Sequence, residues 1–551
     1  MDIQNLLNSM TLEEKVGQMF MLAFAGSNPE QAHEMLVERC VGACYISQDN
    51  AETPQQAWDL TNALQLMAGS TPKKIPLILG VDQEGAWGVM VPHSCTGPGN
   101  MALGAANDLE TTLKMYRVIG QELSAVGYNT LLAPCVDVNS NPVNVIVGPR
   151  SFGEFHADVA KHSRAAVVGA HAGGVIATAK HYPGHGDTRQ DSHRLLPTVD
   201  RTLEELEEID LLPYREAISA GVDIIMTAHI LYPKIDPVYP ATMSSILLED
   251  ILRQKLKFNG LILSDSMNMF AIRQNYEPGE AAVLAVLAGV DMIMLAEEHY
   301  DHSGAYLEKQ RATIDGVLYG VRSGRIPMAR IDQAVSRVLD LKSRSGLFDH
   351  KQDGAAVTIV GSDNNRKIEA RSAELGVTLV RDAMGLMSKV QTSRLALIQA
   401  APKKAYEILT RTRGIGPNQG RPAFDAFQEE FDRLIPGVVT FTSEEIPAEG
   451  ALPAGVGAAG LIVVVTEDYP LPGTDFDTIT QKQVINRLLA EYPEKLIVVG
   501  LRPPYELSDY PGLGTYLTTC SSRVCAATAA ARALAGAIPC KGTLPVGLSA
   551  T

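Results

Sequence analysis

The stretch TLEELEEIDLLPYREAISAGVDIIMTAHI, residues 202–230, contains one complete helix-to-strand unit. Thr202 and Glu205 have the TxxE spacing of a capping box, Leu203, Leu206, Ile209 and Leu212 follow at helical spacing, and Gly221 supplies a stop. The run VDIIMTAHI after it is short and almost continuously apolar, as expected of a strand buried on both faces of a parallel sheet. Seven further runs of this kind lie in the first 300 residues, at 16–24, 41–47, 76–83, 129–138, 174–181, 260–267 and 291–298, giving eight with 222–230. Helical stretches separate them, and Thr11 with Glu14 repeats the capping signature. Eight strand–helix units predict an α/β fold with an N-terminal (β/α)8 TIM-type barrel.

The pattern changes over residues 345–365, where the chain becomes polar, glycine-containing and weakly periodic. A domain boundary is expected there, with the barrel in residues 1–345 and a C-terminal α/β sandwich domain in 346–551. In the second part the apolar runs 395–399, 437–442, 461–466, 495–501 and 515–519 again alternate with helical segments. It carries no glycine fingerprint for a dinucleotide and no P-loop.

The 551 residues include 47 Lys and Arg against 63 Asp and Glu, a formal charge of −16. Such a chain is a poor match for the nucleic-acid backbone or an anionic membrane surface. With 46% hydrophobic and 20% charged residues it has an ordinary globular composition. No apolar run reaches the roughly 18 to 20 residues that span a bilayer; the richest, 281–296, is interrupted by Asp291. The start lacks the pattern of an export signal, and Cys40, Cys44, Cys95, Cys135, Cys520, Cys525 and Cys540 form no paired array. Both features point to a cytoplasmic protein with reduced thiols and no structural zinc. The sequence leaves the oligomeric state open.

In a barrel of this type the chemistry sits at the C-terminal ends of the strands. There the sequence places Asp82-Gln83-Glu84 after the third strand, Asp137 and then Arg150 after the fourth, Lys180-His181 at the fifth, His229 at the sixth and Ser264-Asp265 at the seventh. The most unusual segment is KHYPGHGDTRQDSH, residues 180–193, with three histidines, two aspartates and a lysine. His181 and His185 have an i, i+4 spacing, but Pro183, Gly184 and Gly186 break the helix that would bring both rings to one metal ion. The first strand, MFMLAFAGS, also lacks the HxH of metal-dependent barrel hydrolases, so neither a metal nor another cofactor is expected.

Asp191 and His193 stand two residues apart, so in an extended stretch their side chains point the same way. A carboxylate beside an imidazole fixes its tautomer and steadies its charged form, close to the range around 6.5 where histidine titrates. His193 is thus a candidate general acid and base. Asp265 ends the rigid apolar strand GLILSD, a placement suited to a nucleophile that attacks an anomeric carbon in a retaining, two-step glycoside hydrolysis.

These residues resemble glycoside hydrolase family 3, and specifically its bacterial β-N-acetylglucosaminidase branch. The likeness rests on residues 180–193, on DQEG at 82–85, PGNMALGAA at 98–106, GPRSFGE at 148–154 and SDSMNM at 264–269, in the same order along residues 1–345. LRPPYELSDYP and the ending GTLPVGL are similar to the family's C-terminal sandwich. The resemblance implies that Asp265 is the nucleophile and that His193, paired with Asp191, is the acid/base. It also implies that Asp82, Arg150, Lys180 and His181 hold the hydroxyls of the terminal sugar, that His229 and Met269 lie near it, and that His185 and Asp187 shape the loop. The expected activity is release of terminal β-linked N-acetylglucosamine from a small oligosaccharide or muropeptide. Phosphorolysis through the same glycosyl-enzyme, β-glucosidase action and non-catalytic sugar binding are the alternatives. One departure is that DQEG runs on to Ala86-Trp87, where the family has an arginine; this bears on the leaving-group side of the substrate.

Overall fold

The computed structural model describes residues 2–85, 93–144, 146–189, 196–296, 302–349, 354–407, 419, 421–469 and 475–548. Eight parallel strands close into a barrel in sequence order: β1 Phe20–Leu22, β2 Ala43–Tyr45, β3 Ile78–Val81, β4 Thr130–Leu131, β5 Ile176–Tyr182, β6 Ile224–Thr227, β7 Leu261–Ser266 and β8 Met292–Leu295. Seven lie within the apolar runs, and β5 extends one residue past its run, to Tyr182. β1 pairs with β8, Met21 opposite Met294, and this seam closes the ring. The interior is packed solid by Met21, Ile78, Leu132, Ile176, Leu263 and Met292, and Val338 and Leu341 of the helix Met328–Arg344 plug its N-terminal end.

Local chemistry explains where elements are shorter than the apolar runs. β4 pairs with β3 over only two residues because Pro134 has no N–H to give that strand, while towards β5 the bonding continues, the Lys180 N–H donating to the Pro134 carbonyl at 3.2 Å and the Val136 N–H to the Lys180 carbonyl at 2.8 Å. Residues 16–18 belong to the helix Leu12–Gln18, whose Thr11–Glu14 capping box is complete. The Thr202–Glu205 box forms as well, at 2.8 and 3.3 Å. The helix it starts, Leu203–Glu208, ends early, and a second, Leu211–Ser219, takes over. Pro213 is responsible: it cannot donate to the carbonyl of Ile209, and its ring crowds that carbonyl.

A second sheet has the strand order β11 Val439–Thr442, β10 Leu395–Gln399, β12 Leu461–Glu467, β13 Leu496–Leu501, β14 Thr515–Thr518 and β9 Thr378–Asp382. All are parallel except β9, which runs antiparallel to β14. Apolar side chains fill both faces, covered by Ala423–Leu434 and Val524–Leu534 on one side and Thr478–Glu491 on the other. The two parts of the chain meet beside the C-terminal ends of the barrel strands: Asn139 donates to the Tyr505 hydroxyl at 2.7 Å, and the Glu154 N–H donates to the Pro545 carbonyl at 3.0 Å. Among the described residues no helix is long and apolar enough to cross a membrane.

Candidate active site

At the C-terminal end of the barrel β3 and β5 deliver a compact group of charges. The Lys180 ammonium lies 2.6 Å from Asp82 and 2.6 Å from Glu84. Arg150 meets Glu84 with two parallel bonds, Nε to Oε2 at 2.8 Å and Nη2 to Oε1 at 2.9 Å. Glu84 is shut off from solvent, whereas the Asp82 side chain keeps 21% of its surface exposed. Burial alone would raise the Glu84 pKa, but Arg150 and Lys180 overcome it and hold the carboxyl at about 2. Burial likewise works against the charge on Lys180, and Asp82 and Glu84 reverse this and raise it above the ordinary lysine value. Glu84, Lys180 and Arg150 are thus held in their charged forms, and Asp82 is the member of the group that meets solvent. Tyr45, at the end of β2, donates to Asp82 Oδ2 at 3.0 Å.

His181 joins this group through its ring: Nε2 lies 3.2 Å from Arg150 Nη2, and Nδ1 lies 2.8 Å from Asp137. Asp137 organises the glycine-rich loop. It accepts the backbone N–H of His181 at 3.2 Å and of His185 at 2.6 Å, and the Cys135 thiol lies 3.1 Å away. Burial would raise its pKa, but the His181 ring outweighs that and holds it well below the carboxylate range. The loop needs glycine because a Cβ at Gly186 would stand 1.7 Å from the Val138 carbonyl. Asn144 donates to the His185 carbonyl at 2.9 Å, and Tyr232 donates to that of Gly184. His185 itself faces Thr188 at 2.8 Å, and burial pushes its pKa down to about 4. Asp187 pairs with Arg201 at 3.4 Å, at the loop's outer edge.

Asp265 is the partly exposed residue of β7, with buried serines on both sides. Ser264 Oγ accepts from Met294 N at 2.9 Å and Ser266 Oγ from Ala296 N at 3.0 Å, pinning this strand end to β8. His229 supports it from behind: Nε2 donates to the Ser266 carbonyl at 2.9 Å, and Nδ1 lies 2.8 Å from Thr242. Buried Met269 donates its N–H to that same carbonyl at 3.1 Å, so both residues contact the backbone next to Asp265. Asp191, His193 and Trp87 lie outside the described residues.

Asp82, Arg150, Lys180 and His181 form one bonded network, and Asp265 emerges at the same end of the barrel. Glu84, Asp137 and Tyr45 carry more of that network than the sequence reading assigned them. The adjacent DQE and the APCVDV run carried the signal for the first two, whereas nothing distinguishes Tyr45 in sequence. Cys135, Asp137 and His181 bring three possible metal-ligand atoms within 4.8 Å of one another. Ligation there would require the thiol to lose its proton, which burial and Asp137 strongly oppose, and the neighbouring Arg150 guanidinium would repel a cation.

A cavity of about 800 Å3 at the other end of the barrel, lined by residues such as Asn129, His171, Asp223 and Arg344, holds none of these groups.

Residues 11–341 match the family model for the glycosyl hydrolase family 3 N-terminal domain. The chain is 27% identical to beta-hexosaminidase A of Pseudoalteromonas piscicida, over 94% of this chain and 91% of that protein. It is 28% identical to a beta-N-acetylglucosaminidase/beta-glucosidase of Cellulomonas fimi, over 99% and 95% of the two chains. Among solved structures, a glycoside hydrolase family 3 beta-N-acetylglucosaminidase from Paenibacillus sp. str. FPU-7 superposes with a TM-score of 0.85 at 32% identity, covering 98% of this chain and all of the other.

Proposed function

The chain belongs to glycoside hydrolase family 3, and on that premise we propose that this hydrolase is a retaining, exo-acting β-N-acetylglucosaminidase. The observation that carries the reading is the Asp82–Lys180–Glu84–Arg150 network at the strand ends that also present Asp265. Charged groups fixed in advance are strong partners for sugar hydroxyls and cost little to organise when substrate binds. In the proposed reaction the Asp265 carboxylate attacks the anomeric carbon while His193, oriented by Asp191, protonates the departing glycosidic oxygen. His193 then takes a proton from water, whose oxygen attacks the same carbon and releases Asp265. N-acetylglucosamine is preferred to glucose because the Asp-Ser-His segment 191–193 resembles that branch, and proteins similar over nearly the whole chain are named beta-hexosaminidase A and beta-N-acetylglucosaminidase. The substrate class is a small oligosaccharide or muropeptide with a terminal β-linked N-acetylglucosamine.

The test compares chromogenic N-acetyl-β-glucosaminide and β-glucoside, each with and without phosphate. Expected is at least about tenfold higher kcat/KM for the N-acetylglucosaminide, no need for phosphate, and a first-formed sugar of β configuration. Preference for the glucoside, phosphate-dependent release of a sugar phosphate, or an α product would overturn the reading.

A further inference from the structure

We propose that Glu369, outside the barrel on the helix Asp363–Gly376, is a positioning residue for the sugar-holding set of Asp82, Glu84, Arg150 and Lys180. The inference rests on the reading above in taking that set as the wall that binds the terminal sugar.

Glu369 is 6% exposed, and one of its carboxylate oxygens accepts two successive backbone N–H groups, from Thr96 at 2.9 Å and Gly97 at 3.0 Å. The other oxygen takes the Arg366 guanidinium at 2.8 Å, and Arg366 also reaches the carbonyls of His93 and Ser94. The Cys95 N–H goes to Glu122 at 2.7 Å, a carboxylate that also accepts from Gly361 and Asn365. Arg523 completes the grip by donating to Thr96 Oγ1 at 3.1 Å. Residues 93–97 are therefore held one after another, largely by groups from the second part of the chain.

These residues are the return leg of the loop that leaves β3 through Asp82 and Glu84, and the two legs touch. At Gly85, φ +77°, a Cβ would stand 2.8 Å from the Thr96 carbonyl and 2.9 Å from the Gly99 nitrogen, so only glycine allows this approach. Glu84 immediately precedes that contact. On the other side, Asn100 donates to the Arg150 carbonyl at 2.7 Å and accepts from the Tyr116 hydroxyl at 2.8 Å. A displacement of Thr96 and Gly97 therefore reaches Glu84 through Gly85 and Arg150 through Asn100, the two partners of the buried bidentate pair. Charge-assisted bonds to a buried carboxylate are strong enough to fix that leg, and displacements of about 1 Å in such a site cost up to about 100-fold in rate.

The experiment uses the full chain and whichever chromogenic β-glycoside the unaltered enzyme turns over, so a wrong sugar assignment and a wrong positioning role give different results. Glu369→Ala is expected to lower kcat/KM by about 10- to 100-fold, mostly through KM. Glu369→Gln, whose amide oxygen can still accept both N–H groups, is expected to stay within about threefold of the unaltered enzyme. Glu374→Ala, on the same helix but bonded to Arg532 and Arg371, serves as the control and should leave kcat/KM unchanged. If the Glu369→Ala chain does not fold, Arg366→Ala takes its place and is read the same way. Unchanged KM in the folded variant, or an equal kinetic loss in Glu374→Ala, would overturn the proposal.

Discussion

Glu84 at one end of the barrel and Asp291 at the other are both carboxylates closed to water and gripped by guanidinium groups, yet their surroundings differ. Asp291 is met by Arg253 at 2.5 Å, Arg330 at 2.9 Å and Arg337 at 2.9 Å. Arg253 also bonds the carbonyls of Phe258 and Gly260, and Arg330 those of Val286 and Val290, so the cluster ties strand starts to the outer helices. Glu84 takes one arginine and one lysine, and that lysine passes on to Asp82, which meets solvent. Burial and ion pairing are therefore common to both ends. What separates the proposed binding wall from a structural rivet is the partly exposed Asp82, which a ligand can reach.

The largest expected effect falls on Asp265, which has no counterpart at the other end. Asp265→Asn should reduce turnover of chromogenic N-acetylglucosaminides by at least about 10³-fold while the melting temperature barely moves. Comparable activity in that variant would remove the nucleophile assignment.

Next come the two buried carboxylates themselves. Glu84→Gln and Asp291→Asn should each destabilise the fold by about 3–5 kcal/mol in denaturant titrations, because each leaves buried cations uncompensated. Only Glu84→Gln should also raise KM in the folded protein. A matching KM rise in Asp291→Asn would erase the distinction between the two ends.

A smaller effect concerns pH. Buried His185, and buried His162 beside Thr112, have pKa values lowered by burial to about 4. The unfolded chain takes up these protons first, so stability present above about pH 6.5 is lost as pH falls towards 4. Glu84, held at about 2, adds a further loss as pH falls from about 4.5 to 2. Melting temperatures measured from pH 7.5 down to 4 should fall, and less steeply in His162→Gln. An unchanged slope in that variant would dismiss His162 as a contributor.

The smallest effect is expected at the N-terminal end, where Arg344 pairs with Asp223 but leaves 42% of its side chain exposed. Arg344→Ala should cost less than about 1 kcal/mol and leave kcat and KM unaltered. A kinetic change there would mean that the cavity beside it communicates with the site.

The eight barrel strands were legible because strands covered on both faces read as unbroken apolar runs. β9 was not, since Thr378–Asp382 is an edge strand whose residues alternate between covered and exposed. The site was legible as a set of residue types at strand ends, with Asp82, Arg150, Lys180, His181 and Asp265 all at the expected end. The weight borne by Glu84 and Asp137 was not, because it comes from partners 66 and 44 residues away in the chain.

By itself, the sequence determined the barrel, the alternation of strands and helices in the second half, the capped helix starts and the family. These follow from local periodicity, capping chemistry and residue order, which the chain carries wherever it folds. Only the tertiary structure decided that Lys180 bridges Asp82 and Glu84, that His229 braces the strand end bearing Asp265, and that a carboxylate from outside the barrel clamps the β3 loop. Those outcomes depend on distances between residues remote in sequence, which are set when burial and hydrogen bonding are satisfied together.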